Sequence, residues 1–480
     1  MEGYIPQSER KKILLLCDDI RTHSGIGTIA KEIVLHTCHH YNWVQVGAAI
    51  KHPEAGKILD LSEETNKLVG LSDSSVKVIP QDGYGDANLV RHLLKEEKPD
   101  AIFIFTDPRY WTWLFKIENE VRTKVPIIYL NIWDDYPAPM YNKTYYESCD
   151  LLMGISKQTV NINKLVLGDK AKNKIIEYVP HGLNDKMYYP ITEKDSSWDE
   201  FQNFKKQLCG GDDYDFLALY NSRNIRRKQV PDTIWAFKQF VDKLPLKKAK
   251  KCALVLHTSK VDNNGTNLPA VIEALCGHDQ ERYNFIFSDE KFTVEQMNYL
   301  YNSTDVQIQL TSNEGWGLSL TEAILVGNPI IANVTGGMQD QMRFIDNKGN
   351  WFTPDAKVPS NHRKTYTEHG EWAFPVYPTS ITIVGSPPTP YIFDDRCSAS
   401  DAAEQLMNVY NLSPSERKSI GNKGREWALS NEAGFTSEKM AYRVMNNINK
   451  LFETWTPRSN YYLYKVDKPE TKAIPHNLEY

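Results

Sequence analysis

Long apolar runs, closely spaced cysteines and an excess of charge of either sign are all missing from this chain of 480 residues. No stretch approaches the roughly 20 consecutive apolar residues that a membrane-spanning helix needs. Residues 1–12 are polar and charged, without the apolar core of a secretory signal. The seven cysteines are scattered and none forms a Cys-x-x-Cys pair, which disfavours zinc sites and disulfide frameworks. We therefore expect a cytoplasmic protein with reduced thiols and no integral membrane segment.

Charges of the two signs nearly cancel. Lys and Arg together number 56 and Asp and Glu number 61, which gives a net charge of −5. Proteins that bind nucleic acid over much of their surface carry a positive excess, so composition does not favour that class. The sequence contains no repeat, heptad pattern or low-complexity tract, and its length suits two or three globular domains.

Short apolar runs alternate with helical patterns through the first half of the chain. Strands are predicted at residues 13–18, 44–50, 76–79, 101–105, 125–132, 151–155 and 175–179. Helices are predicted between them, at residues 29–36, 88–98, 110–121, 141–148 and 157–167. This alternation is typical of a parallel, doubly wound sheet, in which ligands bind beyond the carboxyl ends of the strands. The loop after the first strand contains Gly25 and Gly27, which would let the backbone approach a ligand closely.

The same alternation resumes after a polar interruption at residues 185–214. Strands are predicted at residues 216–220, 252–258, 283–287, 306–310 and 329–332. Helices are predicted at residues 230–240, 401–410, 414–429 and 434–452. We therefore predict an α/β protein of two Rossmann-like domains facing across a cleft. The predicted domains are residues 1–185, joined by the C-terminal segment 440–480, and residues 186–439.

A glycine-rich turn follows the strand predicted at residues 306–310. It runs Asn-Glu-Gly-Trp-Gly-Leu-Ser-Leu-Thr-Glu over residues 313–322 and then becomes helical. The first turn of a helix carries unpaired amides and partial positive charge, which suit a phosphate. Glu314 and Glu322 are about two helical turns apart and can face one side, where we expect them to accept hydrogen bonds from sugar or ribose hydroxyls. The alternative is a surface turn with two solvated acids.

These elements together resemble the retaining glycosyltransferases of family 4, which have the GT-B fold of two Rossmann-like domains. The specific element is Glu314-x7-Glu322. Four further matches occur in the family's order: Ser24-Gly25-Ile26-Gly27, Val179-Pro180-His181-Gly182-Leu183-Asn184, Arg223 with Lys228, and Thr335-Gly336-Gly337. The resemblance extends over residues 13–340 and implies that the first domain binds the acceptor and the second the nucleotide sugar.

The resemblance implies a retaining, metal-independent glycosyltransferase that moves a sugar from a nucleotide-sugar donor, such as a UDP- or GDP-sugar, to an acceptor hydroxyl. Glu322 would hold the ribose hydroxyls and Glu314 the sugar hydroxyls. The implied catalytic residues are Arg223, Lys228, Glu314 and Asp134. The implied donor-binding residues are Gly25, Gly27, Arg223, Lys228, Glu314, Gly315, Trp316, Gly317, Leu318, Ser319 and Glu322.

The chain departs from the family pattern in places. Trp133-Asp134 stands where the family often has His-Asp, so Asp134 or the adjacent Asp135 would substitute for the histidine. The secondary candidates are His181, which stands in place of an asparagine, Asp135 and Gly337. No cofactor and no metal ion are expected, because the Asp-x-Asp triplet at residues 213–215 precedes its predicted strand rather than ending one.

The acceptor is left open by the sequence. A saccharide or glycoconjugate is favoured, and a hydroxymethylated DNA base is an alternative that the basic run at residues 247–251 could serve. An epimerase or phosphorylase of the same fold, and a non-catalytic nucleotide-sugar-binding protein, are further alternatives. Residues 345–396, rich in proline and aromatic side chains, have no counterpart in the family and are expected to shape the acceptor side or brace the cleft. Arg226 and Arg227 are expected to be solvated charges, and no oligomeric state is indicated.

Overall fold

The first of two main β-sheets contains eight strands. The computed structural model describes residues 3–49, 53–277, 279, 281–355, 357, 362 and 364–459. The strands are β1 (Lys11–Asp18), β2 (Tyr41–Ala48), β3 (Leu59–Asp60), β4 (Val76–Pro80), β5 (Ala101–Phe105), β6 (Ile127–Asn131), β7 (Leu151–Gly154) and β8 (Ile175–Tyr178). Their order in the sheet is β3-β4-β2-β1-β5-β6-β7-β8, and all neighbours are parallel except β3 with β4.

The second sheet contains six parallel strands. They are β9 (Phe216–Asn221), β10 (Cys252–His257), β11 (Asn284–Ser288), β12 (Val306–Gln309), β13 (Ile330–Asn333) and β14 (Ala373–Val376). Their order is β11-β10-β9-β12-β13-β14. A separate antiparallel hairpin follows, made of β15 (Pro378–Ser386) and β16 (Thr389–Cys397).

Helices cover both faces of the sheets. In the first half of the chain they are α1 (Gly25–Thr37), α2 (Ser62–Val69), α3 (Ala87–Glu96), α4 (Thr112–Lys116), α5 (Glu118–Val121), α6 (Lys143–Ser148) and α7 (Lys157–Leu167). In the second half they are α8 (Trp198–Leu208), α9 (Val230–Asp242), α10 (Leu246–Ala249), α11 (Leu268–Cys276), α12 (Val294–Asn302), α13 (Leu318–Leu325), α14 (Met338–Met342), α15 (Ala399–Asn411), α16 (Pro414–Leu429) and α17 (Ser437–Thr454). Short 3-10 turns occur at Gln7–Glu9, Pro108–Trp111, Met140–Asn142, Gly168–Asn173 and Arg226–Lys228.

Burial explains why the strands were readable as apolar runs. Every residue of β5 and of β7 is buried, because a parallel sheet covered by helices hides both of its faces. The predicted α/β fold of two Rossmann-like domains is confirmed. All seven cysteines are free thiols, and no helix among the described residues is both long and apolar enough to cross a membrane.

Each sheet has a point at which the strand order reverses. In the first sheet the chain moves from β1 toward β2 and β4, then returns to the other side of β1 with β5. In the second it moves from β9 toward β10 and β11, then returns to the other side of β9 with β12. Crevices at such switch points are where ligands of open α/β sheets bind. We therefore expect ligands to bind at the ends of β1 and β5 and at the ends of β9 and β12.

Three predicted segments differ from the structure. The interruption at 185–214 contains the helix α8, whose apolar positions Trp198 and Phe201 stand among charged residues. The helix predicted at 110–121 is divided between a 3-10 turn, α4 and α5. The segment 345–396 is not only an insertion, since it supplies β14. Pro375 hides this strand in the sequence, but a proline is tolerated there because β14 is the edge of its sheet.

The last described helix returns to the first domain. Leu183 and Thr436 form an isolated bridge, and the backbone N–H of Ser437 donates to the carbonyl oxygen of Leu183 at 2.9 Å. Farther along α17, Asn449 accepts a hydrogen bond of 2.7 Å from the Tyr41 hydroxyl. The segment from residue 460 to 480, which belongs to the predicted 440–480 piece, lies outside the described residues.

Candidate active site

Charged side chains meet where β9 and β12 end. After β9 the chain reaches the 3-10 turn Arg226–Lys228, and after β12 it reaches Glu314. The Lys228 ammonium donates a hydrogen bond to Oε2 of Glu314. Arg227 Nη1 lies 3.3 Å from the same oxygen, and Nε2 of Gln309 lies 3.4 Å from it. One carboxylate oxygen at the switch point of the second sheet thus accepts from three side chains.

Both members of the closest ion pair are buried. Glu314 is 9% exposed and Lys228 is 8% exposed. Burial raises the pKa of Glu314, but Lys228 and Arg227 outweigh it and hold that pKa below its usual value. Burial lowers the pKa of Lys228, and the attraction of Glu314 opposes this. Each charge therefore depends on the other, because an unpaired buried charge costs several kcal/mol.

Arg227 connects this cluster to the first domain. Its Nη1 donates to the carbonyl oxygen of Asn313 at 2.7 Å and lies 3.9 Å from Oδ2 of Asp134. Burial raises the pKa of Asp134, and Arg227 opposes the rise. The prediction that Arg227 is a solvated charge is therefore wrong. Neighbouring side chains of a 3-10 turn diverge by about 120°, and the sequence does not say which of the three basic residues turns inward.

Arg223 stands apart from this cluster. Its side chain is 62% exposed, and its Nε pairs with Oδ2 of Asp262 at 2.9 Å. Arg226 is exposed as expected. The structure thus brings together Lys228, Glu314 and Asp134 of the four predicted catalytic residues, whereas Arg223 lies outside the cluster and Arg227 lies within it.

Glycine is needed where the turn of the second domain touches the first. A Cβ on Gly315 would lie 2.6 Å from the carbonyl oxygen of Ile132 and 3.2 Å from Oδ1 of Asp134. A Cβ on Gly337 would overlap the carbonyl oxygen of Gly315. Gly317 has a φ of +90°, a left-handed conformation that other residues rarely adopt. Glycine at these positions therefore allows the turn that contains Gly315 and Gly317 to pack closely against the end of β6.

The first turns of α1 and α13 meet across the domain interface. A Cβ on Gly25 would lie 3.2 Å from Cδ1 of Leu318, the first residue of α13. Gly27 serves a different purpose, because a Cβ there would lie 2.9 Å from the carbonyl oxygens of Asp19 and Thr22. Gly25 thus faces the opposite domain, whereas Gly27 lets α1 pack on its own loop.

The side chains of Trp316 and Ser319 are occupied by contacts with other side chains of the protein. Trp316 is 2% exposed, and its Nε1 donates to the Thr321 hydroxyl at 2.9 Å. The Ser319 hydroxyl donates to Oε1 of Gln309. A ligand could therefore bind to the backbone at the start of α13, but these two side chains are not free to contact it.

Glu322 has a separate set of partners. The Tyr301 hydroxyl donates to Oε2 at 2.5 Å, the Tyr188 hydroxyl to Oε1 at 3.1 Å, and Nδ2 of Asn221 to Oε2 at 3.4 Å. Burial raises the pKa of Glu322, and the two tyrosine hydroxyls oppose this. Glu314 and Glu322 therefore have different hydrogen-bond partners, although both lie in the segment 313–322.

The secondary candidates His181 and Asp135 are both enclosed by protein. The His181 ring meets Phe105 and Trp316 edge to face, with centroids 5.8 and 6.2 Å apart, and burial lowers its pKa to about 3. Asp135 is fully buried, and its Oδ1 accepts from Nε2 of Gln158 at 2.8 Å. Both side chains lie at the interface of the two domains as packing and hydrogen-bonding partners.

Sequence reasoning missed a second polar cluster, at the switch point of the first sheet. Asp18 ends β1, and its Oδ2 accepts from the Ser24 hydroxyl at 2.9 Å, whereas Oδ1 is buried with no hydrogen-bond partner in the described structure. Burial raises the pKa of Asp18, and the bond from Ser24 opposes this. Nearby, Tyr84 stacks on Tyr110 with centroids 4.1 Å apart. The strand-end rule, applied to the last residue of β1, would have found this position.

The Asp-x-Asp triplet lies away from both clusters. Asp213 has a side chain that is 91% exposed, 3.7 Å from the Lys251 ammonium. The backbone N–H of Asp215 donates to the carbonyl oxygen of Lys251 at 2.8 Å. Within the described ranges, no group of three or more His, Cys, Asp or Glu side chains is placed to hold a metal ion.

The whole architecture is similar to that of several solved structures. HepE from Anabaena, in complex with UDP and glucose, is 12% identical with a TM-score of 0.60, over 92% of this chain and 100% of that one. Sucrose-phosphate synthase from Thermosynechococcus elongatus is 14% identical with a TM-score of 0.62, over 92% and 100%. A UDP-forming α,α-trehalose-phosphate synthase from Burkholderia xenovorans is 10% identical with a TM-score of 0.61, over 92% and 99%. Neither a protein-family model nor a curated protein matches the sequence. At these identities the similarity establishes the architecture, and the chain has the GT-B fold.

Proposed function

We propose that this protein is a retaining glycosyltransferase that takes its sugar from a nucleotide-sugar donor and needs no metal ion. The observation that carries the proposal is the cluster of the buried Glu314 and Lys228 with the half-buried Arg227 at the switch point of the second sheet, beside the start of α13. HepE of the same fold was solved with UDP-glucose, and the Burkholderia synthase is UDP-forming, which supports a UDP-sugar as the first donor to test.

The two cations suit the leaving group of this reaction. Transfer breaks the bond between C1 of the sugar and the diphosphate oxygen, which keeps the electron pair, while the acceptor hydroxyl oxygen forms the new bond to C1 and gives its proton to the departing diphosphate. Lys228 and Arg227 would offset the growing negative charge, each with a charge-assisted hydrogen bond worth about 1.5–3 kcal/mol. Two protein cations fixed in a buried site can supply this stabilisation in place of a metal ion.

Glu314 would change partners when the donor binds. In the ligand-free cluster it neutralises Lys228 and Arg227. Diphosphate oxygens would compete for the two cations and leave the carboxylate to accept hydrogen bonds from the sugar. The two cations would then be paired with the diphosphate, and the carboxylate would be stabilised by hydrogen bonds from the sugar hydroxyls.

The other predicted donor contacts follow from their surroundings. We assign the diphosphate to Arg227 rather than to Arg223, which would first have to leave Asp262. Glu322 would bind the ribose hydroxyls, which would replace the tyrosine hydroxyls now on its carboxylate. Asp134 faces the cluster from the first domain and would accept a hydrogen bond from the sugar or from the attacking hydroxyl.

We favour a neutral saccharide acceptor because the switch point of the first sheet has an acidic character. Arg109 pairs with Asp107, the residue two positions before it, at 2.8 Å. Asp18 contacts Ser24 and no cation within the described structure. A negative edge repels a polyanion and accepts hydrogen bonds from hydroxyls.

An aromatic platform lies beside this edge. Tyr110 is 48% exposed while one of its faces is covered by Tyr84. Aromatic faces contact the apolar faces of sugar rings, and they stack on bases as well, so the platform alone does not choose between them. The acids beside the platform offer a polyanion no surplus of positive charge, since Arg109 is already paired with Asp107, and this favours the sugar.

The donor half of the proposal is tested by binding. Calorimetry with UDP, GDP and ADP should give binding to one nucleoside diphosphate, weakened in Lys228→Met, whereas Glu314→Gln should weaken mainly the binding of the intact sugar nucleotide. Tyr442→Phe is a matched control, because Tyr442 is 55% exposed on α17. Absence of binding by all three nucleotides would contradict the donor assignment.

Transfer is tested with the matching sugar nucleotides. Release of nucleoside diphosphate should rise on adding a saccharide, the product should keep the anomeric configuration of the donor by NMR, and EDTA should leave the rate unchanged. Binding without turnover would instead indicate a non-catalytic nucleotide-sugar-binding protein. Stimulation by hydroxymethylated DNA that disappears with salt would favour the nucleic-acid acceptor.

A further inference from the structure

One edge of the strand β16 makes hydrogen bonds with both domains. β15 pairs with the other edge, so every second residue of β16 directs its N–H and C=O away from the hairpin. These residues are Tyr391, Phe393 and Asp395. An unpaired strand edge is a ready partner for another segment of chain, and here that segment comes from both domains.

Along this edge of β16, the hydrogen bonds are made first with one domain and then with the other. The carbonyl oxygen of Tyr391 accepts from the Tyr141 hydroxyl of the first domain at 2.8 Å. The N–H of Phe393 donates to the carbonyl oxygen of Tyr136, also in the first domain, at 2.7 Å. The carbonyl oxygen of the same Phe393 accepts from Nδ2 of Asn313 in the second domain at 3.2 Å. Phe393 is thus bonded to both domains.

Beyond Phe393 the edge belongs to the second domain. The N–H of Asp395 donates to the carbonyl oxygen of Ser312 at 2.9 Å, and its carbonyl oxygen accepts from Nδ2 of Asn333 at 2.8 Å. The side chain of Asp395 accepts from the Thr335 hydroxyl at 2.7 Å. Three consecutive outward positions therefore contact first one domain, then both, then the other.

Burial differs between the two ends of this edge. Asp395, Asn333 and Thr335 are all fully buried. Tyr391 and Tyr141, at the first-domain end, are only half-buried. Buried hydrogen bonds are costly to break, whereas half-buried groups can turn to water. The hairpin is therefore anchored in the second domain. At its first-domain end the half-buried contact of Tyr391 with Tyr141 is the one that opens most easily, whereas Tyr136, the partner of Phe393, is 3% exposed.

We propose that β16 is a clasp that positions the two halves of the candidate active site against each other. The first-domain segment that it holds, residues 136–141, directly follows Asp134 and Asp135. The second-domain residue that it holds, Asn313, directly precedes Glu314. Tyr391 and Phe393 are positioning residues that fix the distance between Asp134 and Arg227, which is 3.9 Å. When the cleft opens, the hydrogen bonds of β16 with the first domain break, whereas those with the second domain remain.

Amide hydrogen exchange tests the clasp without any ligand. Tyr141→Phe removes the hydroxyl that donates to Tyr391 and keeps the ring that packs edge to face on it, with centroids 4.8 Å apart. We expect exchange of the Phe393 amide to rise at least tenfold and that of the Asp395 amide to stay unchanged. Tyr442→Phe should change neither amide.

Two outcomes would overturn the clasp. Equal acceleration at Phe393 and Asp395 would mean that the hairpin detaches as a unit, and unchanged exchange at Phe393 would mean that the first-domain contacts do not hold it. A second variant, Tyr391→Phe, removes the hydroxyl that accepts from the N–H of Met140 at 3.1 Å and should reproduce the Tyr141→Phe result.

The effect on the reaction rests on the proposed function and has its own readout. Tyr141→Phe should lower kcat at least tenfold and leave the Kd for UDP within twofold of wild type, because the donor cluster lies in the second domain. An unchanged kcat would refute the positioning role. Failure of UDP to bind even the wild type would count against the UDP donor, whereas the exchange experiment would still decide on the clasp.

Discussion

Gly25 and Leu318 meet across the two domains, where a Cβ on Gly25 would lie 3.2 Å from Cδ1 of Leu318. Each residue belongs to the first turn of a helix, α1 or α13, so two positive helix ends approach the same gap. Gly315 is another glycine at this interface, and it faces the backbone oxygen of Ile132. The two glycines therefore differ in what an added methyl group would meet.

This difference predicts unequal results for two alanine variants. Gly25→Ala should fold with at most a small loss of stability, because the end of a leucine side chain can move and alanine favours a helix over glycine by about 0.5–1 kcal/mol. Gly315→Ala should lower the Tm and abolish transfer, because its Cβ would lie 2.6 Å from a carbonyl oxygen that cannot shift without moving β6. Thermal denaturation and initial rates would check both variants. Equal losses would contradict this account of the interface.

The pair of Lys228 and Glu314 should show strong coupling in a double-mutant cycle. Lys228→Met leaves a buried carboxylate with one cation fewer, and we expect a loss of about 3–5 kcal/mol in the free energy of unfolding. Adding Glu314→Gln removes the uncompensated charge and should recover most of that loss. Urea denaturation of the two single variants and the double variant measures the coupling. Additive losses would show that the ion pair contributes little to folding.

Arg227 and Arg223 form a matched pair for testing the diphosphate contact. Arg227→Ala should reduce kcat/KM by 10- to 100-fold, in line with the loss of one charge-assisted hydrogen bond worth about 1.5–3 kcal/mol. The kcat/KM of Arg223→Ala should stay within about threefold of wild type. The exposed Arg223 side chain pairs with Asp262, and ion pairs at the surface contribute little. The reverse ranking would restore Arg223 to the role that the family resemblance implied.

Much of the fold could be predicted because both sheets are buried on both faces. β5 was predicted to the residue, since all five of its side chains are buried and apolar. The strand β14 was missed because Pro375 breaks the apolar pattern, and only its place at the sheet edge makes that proline acceptable. Such information lies in the order of the strands, which the local sequence does not contain.

The site was predictable in part. The family resemblance grouped Glu314 with Lys228 as donor-binding residues, and the structure puts their side chains in contact. The choice between Arg223 and Arg227 depends on tertiary hydrogen bonds, such as that from the N–H of Ser312 to the carbonyl oxygen of Arg227 at 2.9 Å. The Phe393 contacts could not be predicted at all, because they join segments that are 80 residues or more apart.

A buried acid at the domain interface gives the stability of the protein a pH dependence. Asp340 is 3% exposed, and its Oδ2 accepts from the backbone N–H of Lys157 at 2.9 Å and from the Tyr178 hydroxyl at 3.0 Å. Burial raises the pKa of Asp340 to about 6, against the opposing effect of Lys157. Because α7 begins at Lys157, an acid of the second domain caps a helix of the first.

The direction of the pH effect follows from that raised pKa. Protonation of Asp340 stabilises the folded state, so this contribution is complete below about pH 4 and is lost as the pH rises through about 6. A shift of about two pKa units corresponds to about 3 kcal/mol. Asp340→Asn cannot titrate and can still accept both hydrogen bonds, so its free energy of unfolding should rise relative to wild type between pH 4.5 and pH 7.

Urea denaturation at several pH values measures this difference. Burial lowers the pKa of Lys157 to about 8 and the charge of Asp340 opposes this decrease, so the measurements stop at pH 7, below that pKa. Asp213→Asn is the matched control, because that side chain is 91% exposed, and its stability relative to wild type should not change with pH. If the difference between Asp340→Asn and wild type is the same at pH 4.5 and pH 7, protonation of Asp340 is not linked to folding. The cap on α7 would then contribute equally in its charged and neutral forms.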